Sequence, residues 1–254
     1  MPAIRKLFAA ALIIILAGAG CLPATSLPVA TPKAAWQTIG DGLSRYDCRA
    51  QECGSRLIVY RFAKDKFAWH FVSRAEPSTV EAWAKSLPQA TIVANGVYFD
   101  AAFQPTGLLK TAGGAVNPHV YDLKKSALLE LAPSFAIIDT SSEPLAIASM
   151  TEAAQSYPLL IKRGAVQPTT TARASRRTVI GDDQSGDIYL GSVPEDAVTF
   201  AQLAALLEKT GIKWDNVLNL DGGTSTGFAA HDGDFSETMN SIVQVPNVIV
   251  AERK

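Results

Sequence analysis

The sequence is poor in the side chains that hold metals. It has three cysteines and three histidines in 254 residues. His70, His119 and His231 are scattered without ligand spacing, which argues against a zinc site. Net charge is nearly absent too: 23 basic residues against 24 acidic ones give −1. Without a basic excess, nucleic acid is excluded as a partner class. Aromatics are few, at 8%. What remains is a chain that is 48% apolar and only 19% charged, a balance that buries a core and rules out a disordered chain.

The one long apolar run stands at the start. Arg5 and Lys6 precede the uncharged stretch Leu7 to Gly20, which is short for a membrane span of roughly 18 or more residues. A charged stretch followed by a short apolar one reads as a secretory signal over residues 1–20. Gly18-Ala19-Gly20 lies directly before Cys21, so the signal is read as lipoprotein-type with Cys21 lipidated. Simple cleavage nearby and release is the alternative, since an aliphatic residue is usual where Gly18 stands. Residues 21–35, with Pro23 and Pro28, read as an extended tether, and 36–254 as one domain. The expected location is the periplasm or cell envelope, with the anchor at Cys21 as the tie to the membrane. Cys48 and Cys53 sit five apart in a polar stretch. In an oxidising compartment they fit a loop-closing disulfide, against the alternative of two free thiols.

Leu57 to Ala63 and Phe67 to Ser73 are β-rich runs around Lys64-Asp65-Lys66 and predict a hairpin. Ser78-Thr79-Val80-Glu81 is a capping-box pattern that opens a short helix through Leu87. Thr91 to Asn95, Ala127 to Leu131, Phe135 to Asp139, Leu159 to Ile161, Arg177 to Gly181, Asp187 to Ser192 and Asn247 to Val250 read as strands. The clearest helix runs from Thr199 to about Thr210, with Phe200, Leu203, Ala204, Leu206 and Leu207 on one face and Gly211 as its stop. Many short strands with a few helices, not in strict alternation, predict an α+β fold: a single domain of mixed, largely antiparallel sheet with a few packed helices.

The most informative stretch is Asn216 to Gly227. An apolar strand delivers Asp221 to its end, Gly222 and Gly223 let the backbone turn tightly, and Thr224, Ser225 and Thr226 follow. An acid, backbone N–H groups and hydroxyls around one point suit a sugar or phosphate oxygen. A plain hairpin turn is the bland alternative. Gly223-Thr224-Ser225-Thr226-Gly227 also fits the nucleophile elbow of serine hydrolases. That elbow needs a following helix and a distant downstream histidine, whereas here Phe228-Ala229-Ala230 is strand-like and His231 is close.

Asn219-Leu220-Asp221-Gly222-Gly223-Thr224-Ser225 resembles the Asn-Leu-Asp-Gly-Gly-Gly-Ser signature of the phosphodiester glycosidase domain family, whose known activity removes N-acetylglucosamine from a phosphodiester. Asn95-Gly96-Val97-Tyr98-Phe99, Gln155-Ser156-Tyr157-Pro158, Arg177-Thr178-Val179-Ile180-Gly181 and Val245-Pro246-Asn247-Val248 are similar to further segments of that family, in the same order. Val97 and Thr224 replace glycines of its motifs, each adding a side chain where the family's backbone approaches its ligand. The resemblance implies a hydrolase acting on a glycan or sugar-1-phosphodiester, and the signal-like leader places that substrate in envelope or extracellular material. The alternative is a non-catalytic glycan-binding lipoprotein that uses the same cleft.

On that reading Asp221 stabilises or attacks the oxocarbenium centre, and Arg177 offers a bidentate fork to phosphate. Asn95 is the third catalytic candidate. Gln155, Asn219, Tyr98, Gly222, Gly223, Thr224 and Ser225 are the substrate-binding candidates, with the two glycines presenting N–H groups to an oxyanion. Five of them have a structural alternative: turn bonding for Asn95 and Asn219, a surface helix position for Gln155, an ion pair with an acid such as Asp182 for Arg177, and core packing for Tyr98. A divalent cation is a further candidate, and Asp100, Asp122, Asp139, Asp232 and Asp234 are acids near enough in type to help bind one. None of them forms a ligand pattern, so the cofactor is left unassigned.

Overall fold

Val245–Arg253 and Ala90–Asn95 are nearly unbroken buried runs, the pattern of strands covered on both faces. They pair with each other at the middle of a five-stranded sheet completed by Phe67–Ser78, Phe228–Asp232 and Phe235–Met239. The computed structural model describes residues 35–121, 127–169 and 172–254, all within one compact unit, Lys33–Lys254. The expected signal, the expected anchor at Cys21, nearly all of the expected tether and Asp122 lie outside the described residues.

A larger sheet of eight strands runs in the order Trp36–Gly40, Leu43–Cys48, Leu57–Phe62, Ile188–Val198, Ser175–Asp183, Trp214–Asn219, Leu159–Lys162 and Ala165–Val166. A second five-stranded sheet holds Gly114–Asn117, Leu109–Thr111, Glu152–Ser156, Ala127–Ala132 and Ala136–Asp139. Every strand pairing among the described residues is antiparallel. Strand outweighs helix by 52% to 11%. The expected largely antiparallel sheet with a few helices is found, but the balance is sheet-dominated rather than an even α+β mixture, with three short α-helices among the described residues.

The three sheets share one core. Ile58, Tyr60 and Phe62 from the large sheet meet Phe67, Trp69 and Ile92 from one small sheet and Leu109, Leu129 and Ala154 from the other. This packing overturns the predicted hairpin. Leu57–Phe62 and Phe67–Ser78 belong to different sheets, and the turn between them carries the chain across. Phe62 meets Phe67 and Trp69 edge to face, with ring centroids 5.0 and 4.9 Å apart. The aromatic faces gain more by packing sheet on sheet than the strands would by pairing edge to edge.

The helices cover outer faces. Phe200–Glu208 has the full capping box, with Thr199 and Gln202 bonding reciprocally, and its apolar side packs with Val179, Trp214 and Val217. Val80–Ser86 starts one residue later than the pattern implied: Thr79, not Ser78, accepts the Ala82 N–H. Trp83 is fully buried beneath it and donates to the Val245 carbonyl. Cys48 and Cys53 are joined by the expected disulfide, which closes over the short helix Ala50–Cys53 rather than over an irregular loop.

Candidate active site

Three strand ends converge at one point. Asn95 ends the central strand of a small sheet, Asn219 ends its strand in the large one, and Arg177 and Thr178 lie beside it on Ser175–Asp183. The loop from Asp221 to Gly227 crosses between the sheets there. The Asp221 N–H bonds to the Gly96 carbonyl at 3.1 Å, and the Leu220 N–H to the Thr178 carbonyl at 2.8 Å.

Asn95 is the brace of this loop. Its side-chain amide donates to the Asp221 carbonyl at 2.7 Å, while its Oδ1 accepts from the Thr178 hydroxyl at 2.7 Å and the Gly227 N–H at 3.2 Å. The residue is fully buried, so its amide is committed to the protein. Thr178, which the sequence shows in a family-like segment but without a role of its own, fixes the orientation of that amide. Asn95→Ala leaves the Asp221 carbonyl, the Gly227 N–H and the Thr178 hydroxyl without their buried partner. It is expected to cost about 3 kcal/mol, read as a drop in the urea midpoint with an unchanged slope.

Asp221 sits in a largely enclosed place. Burial raises its carboxyl above the usual aspartate range, and the Ser225 hydroxyl and the Gly222 N–H offset part of that rise. The Gly222 N–H reaches Oδ1 at 2.7 Å, so it serves the carboxylate rather than an incoming oxyanion, contrary to expectation. Gly222 is required by space: a Cβ there would lie 2.7 Å from the Arg176 carbonyl oxygen. Gly223 has φ +65°, the left-handed region that glycine enters without penalty. Gly223, Thr224 and Ser225 form one 3-10 turn, with Thr224 exposed and Ser225 buried. His231 lies exposed on the strand Phe228–Asp232, and no helix follows Ser225, which removes the nucleophile-elbow reading.

Tyr98 is the hub of the polar groups. Its hydroxyl accepts from the Asn219 amide at 2.8 Å and donates to the Tyr157 carbonyl at 3.2 Å. The rings of Tyr98 and Tyr157 stack with centroids 4.8 Å apart, and Tyr157 is 38% exposed. Burial raises the pKa of the Tyr98 phenol first, and the nearby Asp221 charge raises it further, while Arg177 pulls it down. The phenol thus lies between an acid and a cation and stays protonated. Asn219 is fully buried. Its amide also donates to the Tyr157 and Leu220 carbonyls, and its Oδ1 has no partner among the described residues.

Two arginines flank the loop from opposite faces of one strand. Arg177 is 6% exposed, lies over the Phe200 ring at 3.9 Å, and gives Nε to the Val198 carbonyl at 3.1 Å and Nη2 to the Arg173 carbonyl at 2.7 Å. Burial lowers its pKa. With those nitrogens engaged, the expected bidentate fork is reduced, and Nη1 is the nitrogen without a partner among the described residues. The alternative ion pair with Asp182 is not formed, since Asp182 accepts from Asn216 instead. Arg176 donates to the Gly223, Thr224 and Pro194 carbonyls and so holds the turn from outside. Neither arginine has a carboxylate partner among the described residues.

Other candidates lie elsewhere. Gln155 is 2% exposed and clamps the Tyr121 backbone, accepting its N–H at 2.9 Å and donating to its carbonyl. It lies on a strand, not a surface helix. Val97 is buried in the shared core, so its side chain points away from the loop and does not obstruct it as expected. Asn247, placed on a strand by the sequence but given no site role there, accepts the Val97 N–H at 2.7 Å and fixes that turn. Of the acids considered for a cation, Asp139 is paired with Lys162 and Asp232 with Arg253, Asp100 caps its own loop, and Asp234 is exposed. Among the described residues no group of three or more His, Cys, Asp or Glu side chains could hold a metal ion.

The family model for phosphodiester glycosidase matches residues 88–252, which spans every element just described around the loop. The fold is similar to that of a hypothetical protein from Synechocystis, with a TM-score of 0.66 at 12% identity over 89% of this chain, which spans 64% of that protein. It is also similar to the catalytic domain of zebrafish N-acetylglucosamine-1-phosphodiester alpha-N-acetylglucosaminidase auto-inhibited by its pro-peptide, at TM-score 0.58 and 14% identity over 87% of this chain and 81% of that one. A third likeness is to a candidate exported protein of Burkholderia pseudomallei K96243, at TM-score 0.53 and 10% identity over 78% of this chain and 74% of that one. No curated relative matches the chain. Among the described residues no helix is long and apolar enough to cross a membrane.

Proposed function

We propose that this chain, which belongs to the phosphodiester glycosidase family, hydrolyses a sugar-1-phosphodiester, of which a GlcNAc-phosphodiester is the first to test, in envelope or extracellular glycan after export. The observation that carries this reading is a half-buried carboxyl on a loop braced by Arg176, with the Tyr98 phenol feeling both that carboxyl and Arg177, and neither arginine paired to a carboxylate among the described residues. The groups acting on Asp221 are its burial, the Ser225 hydroxyl and the Gly222 N–H, with no second carboxylate among them.

An ordinary glycoside needs two carboxyl groups, because its leaving alkoxide must be protonated. A phosphate monoester has a second pKa of about 6, so it departs without a strong acid. The bond from the anomeric carbon to the phosphate oxygen breaks, its electron pair goes to the phosphate, and Asp221 faces the positive charge left on the sugar. Arg177 receives the departing phosphate through Nη1, and water adds to the anomeric carbon to complete the sugar, its proton passing to the phosphate monoester or to solvent. In this scheme Asn95 acts by positioning Asp221, and Tyr98 and Tyr157 offer a stacked aromatic face to the sugar ring. Gln155 and Asn219 hold the surrounding backbone.

The test is incubation of the chain with a panel of sugar-1-phosphodiesters. Release of free sugar from at least one supports hydrolysis, and no release from any of them overturns it in favour of glycan binding. The acid limb of the pH profile carries a second expectation. Asp221 acts ionised, so kcat/KM falls as pH drops through a value above 3.8, the ordinary aspartate pKa. Ser225 stabilises the ionised form, and Ser225→Ala is therefore expected to move that limb to higher pH. A limb that stays in place or moves down would contradict the contact.

A further inference from the structure

We propose a second saccharide-binding groove at the opposite end of the large sheet, with Trp36 as its stacking platform. Of the four tryptophans, Trp69, Trp83 and Trp214 are buried, whereas Trp36 is 37% exposed. Its ring opens on a groove of about 520 Å³ shared with Arg61, Asp183, Gln184, Tyr189 and Lys213. Asp183 lies six residues along the same strand from Arg177, so the groove is about 20 Å from the loop of Asp221.

The platform is fixed before any ligand arrives. Trp36 leans on Tyr46 at 5.5 Å and meets Tyr189 edge-on at 6.0 Å. Asp183 is equally held, accepting the Tyr189 hydroxyl at 2.7 Å and the Ser185 hydroxyl at 2.6 Å. Arg61 is tied to Asp187 through Nε and Nη2, which leaves Nη1 open among the described residues. The Gln184 amide and the Lys213 ammonium have no side-chain partner among the described residues. An exposed apolar face ringed by donors that protein groups do not satisfy is the complement of a pyranose, whose C–H face stacks on an indole and whose hydroxyls take the hydrogen bonds.

The charges choose between ligand classes. Arg61 and Lys213 are balanced by Asp183 and Asp187, so a polyanion has no excess of cations to bind. A single indole is too small an apolar floor for a peptide helix. A neutral oligosaccharide fits both facts. This groove does not depend on the activity proposed for Asp221.

Trp36 makes the test direct, because indole emission that responds to a sugar comes from the one exposed tryptophan. The full chain is titrated with chitotriose, cellotriose and maltotriose. A saturable change in emission with at least one is expected, and it is expected unaltered in Asp221→Ala. By calorimetry, Trp36→Ala should weaken that sugar about tenfold, and Gln184→Ala, at an exposed position, about fivefold. The proposal is overturned by emission that is flat with all three sugars, by binding that survives unchanged in Gln184→Ala, or by binding that disappears with Asp221.

Discussion

Asp221→Asn should reduce sugar release by about 10³-fold or more in kcat while the protein stays folded. The substitution is nearly isosteric and keeps an oxygen for the Gly222 N–H, which reaches Oδ1 at 2.7 Å. It also relieves the burial that pushes the carboxyl upward, so thermal stability is expected to hold or rise. What it removes, in the proposed reaction, is the negative charge facing the anomeric carbon, and no second carboxylate among the described residues acts on that position. Steady-state rates on a sugar-1-phosphodiester, with a melting curve beside them, check both halves. A loss smaller than tenfold would remove Asp221 from the chemistry.

Arg177→Met should lower kcat/KM by about 10² to 10³-fold with little change in stability. Two effects on stability oppose each other. Relieving a buried guanidinium that has no carboxylate partner is favourable. The Val198 and Arg173 carbonyls, however, lose the donors that reach them at 3.1 and 2.7 Å, at a cost of about 1 kcal/mol each. The methionine chain keeps contact with the Phe200 ring, so the helix above it should stay seated. Arg177→Lys is not a rescue, since an ammonium cannot both stack on Phe200 and reach two carbonyls in one plane. Unchanged kcat/KM in Arg177→Met would show that the phosphate is held elsewhere, with Arg176 the next candidate.

The part of this site that a reader of the sequence can find is the part made by local rules. Asp221-Gly222-Gly223 announces itself because an apolar strand ending in an acid and two glycines has few structural uses. The Thr199 cap and the apolar face of Phe200–Glu208 are equally local. The functions of Asn95 and Gln155 were not readable in that way. An amide can face a ligand or hold a backbone, and only the meeting of Asn95 with Thr178 and Gly227, far away in sequence, decides for the backbone. The same holds for Tyr157, which lies inside a family-like segment but matters because it stacks on Tyr98.

The larger misreading has a similar cause. Leu57–Phe62 and Phe67–Ser78 carry every sign of a hairpin, yet their aromatic faces are satisfied only when a third sheet closes the core. Short strands such as Gly114–Asn117, exposed along most of their length, have no apolar alternation to reveal them. Their pairing with Leu109–Thr111 is set by the neighbouring strand rather than by their own residues.

The proposed reaction requires cleavage at the anomeric carbon, and hydrolysis in ¹⁸O-labelled water tests that point most directly. If the bond between the sugar and the phosphate oxygen breaks with water adding to carbon, the phosphate monoester leaves without label. Mass spectrometry of that product should therefore find it unlabelled in the wild-type reaction. Label in the phosphate would mean that water attacks phosphorus, and Asp221 would no longer have an oxocarbenium centre to stabilise.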